Sequence, residues 1–119
     1  MVRCFLGAKL HRLVVTEADP DYVGSITLDT DLLDISGIRP GERVLVAGLE
    51  SGARFETYVM RGAPGSGTVC INGAAALLVR PGERVIVLQF VWADPSTEDV
   101  PEPVVVMADD TNRNPYRLP

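Results

Sequence analysis

Ser25 follows a glycine, a pairing that puts one kind of chemistry within reach. Its hydroxyl can attack the carbonyl of the preceding residue, Gly24, in an N→O acyl shift wherever the loop is strained and the oxyanion is stabilised. Gly24 favours the attack because its carbonyl is unhindered. A Gly-Ser pair is by itself a common turn element, so other residues must decide whether this one reacts.

Lys9, the only lysine, and Arg54 are cations suited to the carboxylates of a substrate, Arg being favoured for a bidentate grip. Elsewhere such residues are mostly solvated surface charge. Asn72-Gly73-Ala74-Ala75 reads as a capped helix start whose free backbone N–H groups favour an anion. His11, the only histidine, invites a Ser25–His11–Asp triad with Asp19, Asp21 or Asp29. A hydrolase triad needs an oriented third group and an exposed nucleophile, and no nucleophile-elbow motif is present. Cys4 and Cys70 with one histidine cannot furnish a four-ligand zinc site, so no metal is expected and both cysteines read as reduced core residues.

Composition narrows the field. The chain has 119 residues, one domain's worth, with 46% hydrophobic content and apolar runs far too short to span a bilayer. The first residues, Met1 to Lys9, are too short and too broken by Gly and Lys for a signal-peptide core, so the expectation is a soluble cytoplasmic protein. A net charge of −5 argues against nucleic acid as a partner, because phosphate binding needs clustered Lys and Arg.

The elements that must position these residues are legible in an internal repeat at an offset of 41 residues. Arg39-Pro40-Gly41-Glu42-Arg43-Val44-Leu45-Val46 returns as Arg80-Pro81-Gly82-Glu83-Arg84-Val85-Ile86-Val87, and Gly24-Ser25-Ile26-Thr27 matches Gly65-Ser66-Gly67-Thr68. Each copy reads as a short strand, a short helix, a Pro-Gly turn and a Val-rich strand. Asp29 or Thr30 could cap a helix carrying Leu32, Leu33 and Ile35; Asn72 could cap Gly73 to Val79. Strands are expected over 9–16, 43–49 and 53–60. The reading is a mainly β protein with short helices and a pseudo-two-fold barrel over residues 1–93. Residues 94–119, rich in Pro and acids, are expected to form a tail in which Val104-Val105-Val106-Met107 could dock as one extended stretch.

Four blocks now stand in order: Lys9-Leu10-His11-Arg12; Asp21-Tyr22-Val23-Gly24-Ser25; Gly52-Ala53-Arg54-Phe55-Glu56-Thr57-Tyr58; and Ile71-Asn72-Gly73-Ala74-Ala75-Ala76. Together they resemble bacterial pyruvoyl-dependent aspartate 1-decarboxylases, over about residues 1–93. The resemblance implies a double-psi β-barrel, assembled as a homotetramer with sites between neighbouring subunits, that converts L-aspartate to β-alanine and carbon dioxide for pantothenate and coenzyme A synthesis. It also implies autocatalytic cleavage of a zymogen between Gly24 and Ser25, leaving Ser25 as an N-terminal pyruvoyl group. That ketone would form a Schiff base with the substrate amine and act as the electron sink.

By the same resemblance Thr57 would hydrogen-bond the scissile carbonyl during processing and touch substrate afterwards, and Tyr58 would be the proton donor. Gly73, Ala74 and Ala75 would contact substrate alongside Lys9 and Arg54, with His11, Tyr22 and Asn72 in supporting places. Neighbouring strand residues face opposite ways, so Thr57 and Tyr58 share a site only if the strand bends, twists or spans an interface. Pro20-Asp21 departs from the usual pattern of the family. A separate maturation protein is a possible partner, since some members need one. Ser66, despite its Gly-Ser-x-Thr setting, lacks the surrounding blocks and is expected to be a plain turn residue. The rival readings are a non-cleaving β-barrel binding module and an inactive relative locked as the precursor.

Overall fold

The computed structural model describes all 119 residues, Met1–Pro119. Nine strands form: β1 (Arg3–Val14), β2 (Glu17–Asp19), β3 (Ser25–Asp29), β4 (Arg43–Gly48), β5 (Arg54–Gly62), β6 (Val69–Asn72), β7 (Arg84–Ala93), β8 (Val104–Met107) and β9 (Tyr116–Arg117). They are hydrogen-bonded in the order β2-β6-β3-β5-β4-β7-β1-β8-β9. One α-helix, α1 (Thr30–Ser36), and one 3-10 helix (Gly73–Leu77) complete the body. The protein is mainly β, as its alternating Val-rich segments require, and the arrangement is compatible with a double-psi β-barrel.

Period-two alternation decides which side chains enter the core. Leu10 and Leu13 of β1, Val44 and Val46 of β4, and Val85 and Val87 of β7 are buried, as are Ile26 and Leu28 of β3 and Val69 and Ile71 of β6. Leu32 and Leu33 close the core from α1. The expected strand over 9–16 is the second half of β1, which begins at Arg3 and stops at Val14, two residues short of the expected end. Its register against β7 shifts between Leu10 and Leu13, where Arg12 takes a left-handed φ of 58°. A bulge of this kind bends the strand and re-aims the side chains on it.

The two Pro-Gly turns are duplicates down to their hydrogen bonds. Gly41 and Gly82 have φ of 90° and 91°, the positive value that a turn with Pro followed by Gly requires. Glu42 Oε1 accepts from the Arg39 N–H at 2.7 Å, and Glu83 Oε1 from the Arg80 N–H at 2.6 Å. Gly41 then donates to the Val59 carbonyl, and Gly82 to that of Val15, both at 2.8 Å. Each turn is thus tied to a strand outside its own local unit.

Asp29 caps α1 as expected, accepting from the Asp31 N–H at 2.8 Å. Its carboxylate also takes the N–H groups of Gly65 at 3.0 Å and Gly67 at 2.8 Å. The second helix differs from expectation. Residues Gly73–Leu77 form a 3-10 helix, and the Asn72 side chain makes no cap bond, because its amide is turned across the sheet onto β3. A helix this short has no dipole end to offer an anion.

Val104–Met107 docks as the expected extended stretch, parallel to β1 with Val104 beside Ala8. The chain beyond it is tied down more firmly than its composition suggests. Asn112, 1% exposed with φ 61°, accepts from the Val14 N–H and donates to the carbonyls of Val14 and Gly67. Arg113 adds bonds to the carbonyls of Gly65 and Ser66. Asn112→Ala removes three partners from buried backbone groups and places a Cβ residue without an amide at positive φ. A loss of about 2–4 kcal/mol is expected, read as a lower urea midpoint at unchanged slope; an unmoved midpoint contradicts this role.

Candidate active site

Ser25 opens β3 and is fully buried. It pairs with Asn72 of the antiparallel strand β6, and that register brings the two side chains together. The Asn72 amide donates from Nδ2 to Ser25 Oγ at 3.1 Å and to Thr27 Oγ1 at 3.2 Å. Its oxygen accepts from the Cys70 thiol at 3.1 Å. Ser25 and Thr27 therefore face the same side of β3, as Cys70 and Asn72 do on β6.

Gly24 sits just outside the strand, with Gly73 against it. A Cβ built on Gly73 would lie 2.7 Å from Gly24 Cα and 3.4 Å from the Tyr22 carbonyl, and Gly73 has φ 71°. Close approach and backbone conformation both demand glycine there. Tyr22 is half exposed at the mouth of a small cavity of about 240 Å³ lined also by Glu17, Asp19, Thr27, Cys70 and Asn72. Gly24, Ser25, Tyr22, Asn72 and Gly73 thus meet, with Ala74 and Ala75 following directly in the 3-10 helix.

The other candidates lie on the outer face of the sheet β1-β7-β4-β5. On β5, Arg54, Glu56 and Tyr58 are exposed, whereas Phe55, Thr57 and Val59 turn inward with increasing burial. The β4–β5 register is unbroken from Ala47↔Arg54 to Arg43↔Tyr58. Nothing reverses the alternation, and Thr57 and Tyr58 face opposite sides within one subunit. Tyr58 precedes Val59 just as Ser25 precedes Ile26, and Ile26 and Val59 are register partners in the parallel pair β3–β5. Tyr58 and Ser25 therefore start from one level on adjacent strands.

Lys9 pairs with Leu88, Leu88 with Leu45, and Leu45 with Glu56. Lys9 and Arg54 share the outer face, but three strand-to-strand steps, roughly 14 Å along the sheet, separate β1 from β5. One subunit does not by itself bring Lys9 and His11 to Arg54.

His11 is half-buried on the β1 bulge, and its Nδ1 is enclosed with no hydrogen-bond partner. Desolvation first, then the charges of Lys9 and Arg12, hold its pKa below the ordinary imidazole value. Ser66 is half-buried in a bend, its hydroxyl donating to the Ala63 carbonyl at 2.6 Å, and it has none of the surroundings of Ser25. Cys70 and Thr27 are the neighbours of Ser25 that sequence reasoning passed over. Their signal is spacing: each stands two residues from a site residue on the same strand face.

The family model for aspartate decarboxylase matches residues 1–114. The chain belongs to the aspartate decarboxylase family. Among similar proteins, the aspartate 1-decarboxylase of Neisseria meningitidis serogroup C is 50% identical over 113 residues, covering 95% of this chain and 89% of that protein. That of Corynebacterium efficiens is 48% identical, covering 95% and 83%, and one from Bacillus cereus is 47% identical, covering 95% and 89%. Every candidate residue of this aspartate decarboxylase family member lies inside the matched span.

A solution titration checks the electrostatics of the outer face. His11 should protonate below the ordinary imidazole value, and Lys9→Ala or Arg12→Ala should raise its midpoint. Because the folded form resists the proton, this group's contribution to stability is complete above the unfolded value and falls away as pH drops through the folded one. A His11 ring resonance titrating at or above the ordinary value contradicts this placement.

Proposed function

We propose that the chain is the precursor of an aspartate 1-decarboxylase that cuts itself between Gly24 and Ser25 and then converts L-aspartate to β-alanine and carbon dioxide. The observation that carries this reading is the setting of Ser25: a buried hydroxyl held by the Asn72 amide, with Gly73 pressed on the residue whose carbonyl is to be attacked. The Ser25 Oγ adds to the Gly24 carbonyl, the C–N bond breaks, and the acyl group moves to oxygen. Loss of the Ser25 α-proton expels the Gly24 carboxylate; water then enters and ammonia leaves, which yields a pyruvoyl group at residue 25. Thr57 serves the scissile carbonyl in this step.

Such a group fits the residues present. The Ser25 position is buried beside the Thr27 hydroxyl and the Asn72 amide, and a small cavity lined by those two neighbours opens close by. When formed, the pyruvoyl ketone supplies the electron sink for loss of carbon dioxide. The chain's own side chains do the rest. Lys9 and Arg54 hold the substrate carboxylates, Arg54 by its bidentate fork. Tyr58 returns a proton to carbon after carbon dioxide has left, and Gly73, Ala74 and Ala75 line the substrate. His11, Tyr22 and Asn72 support this arrangement.

The outer face carrying Lys9, Arg54 and Tyr58 also exposes Phe90 and Trp92 beside half-buried Leu45, Ala47 and Leu88. Apolar surface of this extent favours a covering subunit, in line with a homotetramer whose site is completed between copies. Residues 1–93 form the catalytic body; residues 94–119 contribute no catalytic group and brace it. No helix is long and apolar enough to cross a membrane, and β-alanine made in the cytoplasm would feed pantothenate and coenzyme A synthesis, with or without a maturation protein for the cleavage.

Intact-mass analysis after prolonged warming, with a carbonyl-reactive label, tests the scheme. Expected are two fragments, 1–24 and 25–119, the larger one labelled, with the 65–66 bond whole. Ser25→Ala should remain full length and inactive, and a cleaved, active Ser25→Ala protein refutes the mechanism. Tyr58→Phe should still be processed but turn over ~100-fold or more slowly; undiminished turnover removes Tyr58 from the proton-donor role.

A further inference from the structure

Cys70 has no part in the scheme above, yet it is the one hydrogen-bond partner of the oxygen end of the Asn72 amide, at 3.1 Å. The nitrogen end faces two hydroxyls, Ser25 Oγ and Thr27 Oγ1, at 3.1 and 3.2 Å. Hydroxyls donate or accept with equal ease, so Ser25 and Thr27 alone would hold the amide as well one way round as the other. The group on the far side must break the tie. A protonated thiol does so, because it gives its hydrogen to the amide oxygen and offers only a poor acceptor to an amide N–H.

We infer that Cys70 is a positioning residue for self-cleavage: its thiol fixes the Asn72 amide with the N–H end on Ser25 Oγ. The inference rests on the self-processing reading given above. With that orientation Oγ is an acceptor toward Asn72, which leaves the hydroxyl hydrogen free to depart and places an N–H beside the oxygen as it reacts. A reversed amide would instead tie up the hydroxyl hydrogen on an oxygen too weakly basic to take it. Burial, then the charge of Glu17, its register partner on β2, and the charge of Asp19 push the Cys70 thiol up to about 11. The thiol thus keeps its hydrogen.

Two substitutions separate hydrogen bonding from packing because they change bulk in different ways while neither breaks the tie. Cys70→Ser keeps a donor and loses apolar bulk; Cys70→Val keeps apolar bulk and loses the donor. Cleavage of freshly purified precursor is followed by intact mass at fixed temperature, with circular dichroism and the unfolding midpoint recorded for each protein, and Cys70→Ala serves as a second donor-free variant should Cys70→Val not fold. Expected are cleavage rates about twofold below wild type for Cys70→Ser, Cys70→Val and Cys70→Ala alike, since none of them breaks the tie and about half of the amide population is then reversed. Any of the three cleaving at the wild-type rate, or rates that follow side-chain bulk instead, overturns the inference and leaves Cys70 as core. Wild type that never cleaves brings down the self-processing reading itself, an outcome independent of residue 70 and so distinguishable from failure of the inference.

Discussion

The Asp29 carboxylate is where the two halves of this chain are joined. It is 1% exposed and binds three backbone N–H groups, one at the start of α1 and two in the turn that begins the second repeat. A buried carboxylate is tolerated only when its lone pairs are satisfied in this way, and charge-assisted bonds are the stronger kind. Asp29 ends the strand that Ser25 begins. The five-residue strand β3 therefore connects the anchor to the Ser25 hydroxyl, and it is further gripped by β5 on one side and β6 on the other.

What the sequence made legible was mostly local. The Pro-Gly turns, the Asp29 cap and the Val-rich strands follow from residues within a few positions of one another, and the 41-residue repeat found on paper appears as two turns with matching bonds. The readings that changed are those where a distant partner outcompeted a local one. Asn72 is a good helix cap by type, but Ser25 and Thr27, 47 and 45 residues away in sequence, claim its amide. Asn112 looks like an ordinary residue of a polar tail, yet it serves Val14 across 98 positions. No periodicity or propensity signals such pairings before the fold brings the strands together.

The site divides in the same manner. The buried part of the candidate site, Ser25 with Asn72 and Gly73, is brought together within one subunit because adjacent strands β3 and β6 supply it. Its cationic half lies on a sheet face whose members are separated by intervening strands, and family resemblance indicated these residues without geometry. The inward turn of Thr57 and outward turn of Tyr58 follow from strand alternation alone.

The position of β1 determines what a break after Gly24 does to the molecule. That strand lies inside the sheet, hydrogen-bonded to β7 on one edge and to β8 on the other, and Val15, Thr16 and β2 are bonded to the second repeat as well. Residues 1–24 are therefore interleaved with the remainder of the protein. Breaking that one peptide bond by acyl shift and elimination would sever the covalent thread and leave a two-chain particle whose smaller member can depart only by global unfolding. The particle would keep its native mass and be distinguishable from the uncut form only under denaturing conditions, and the smaller peptide would behave as a non-exchangeable subunit.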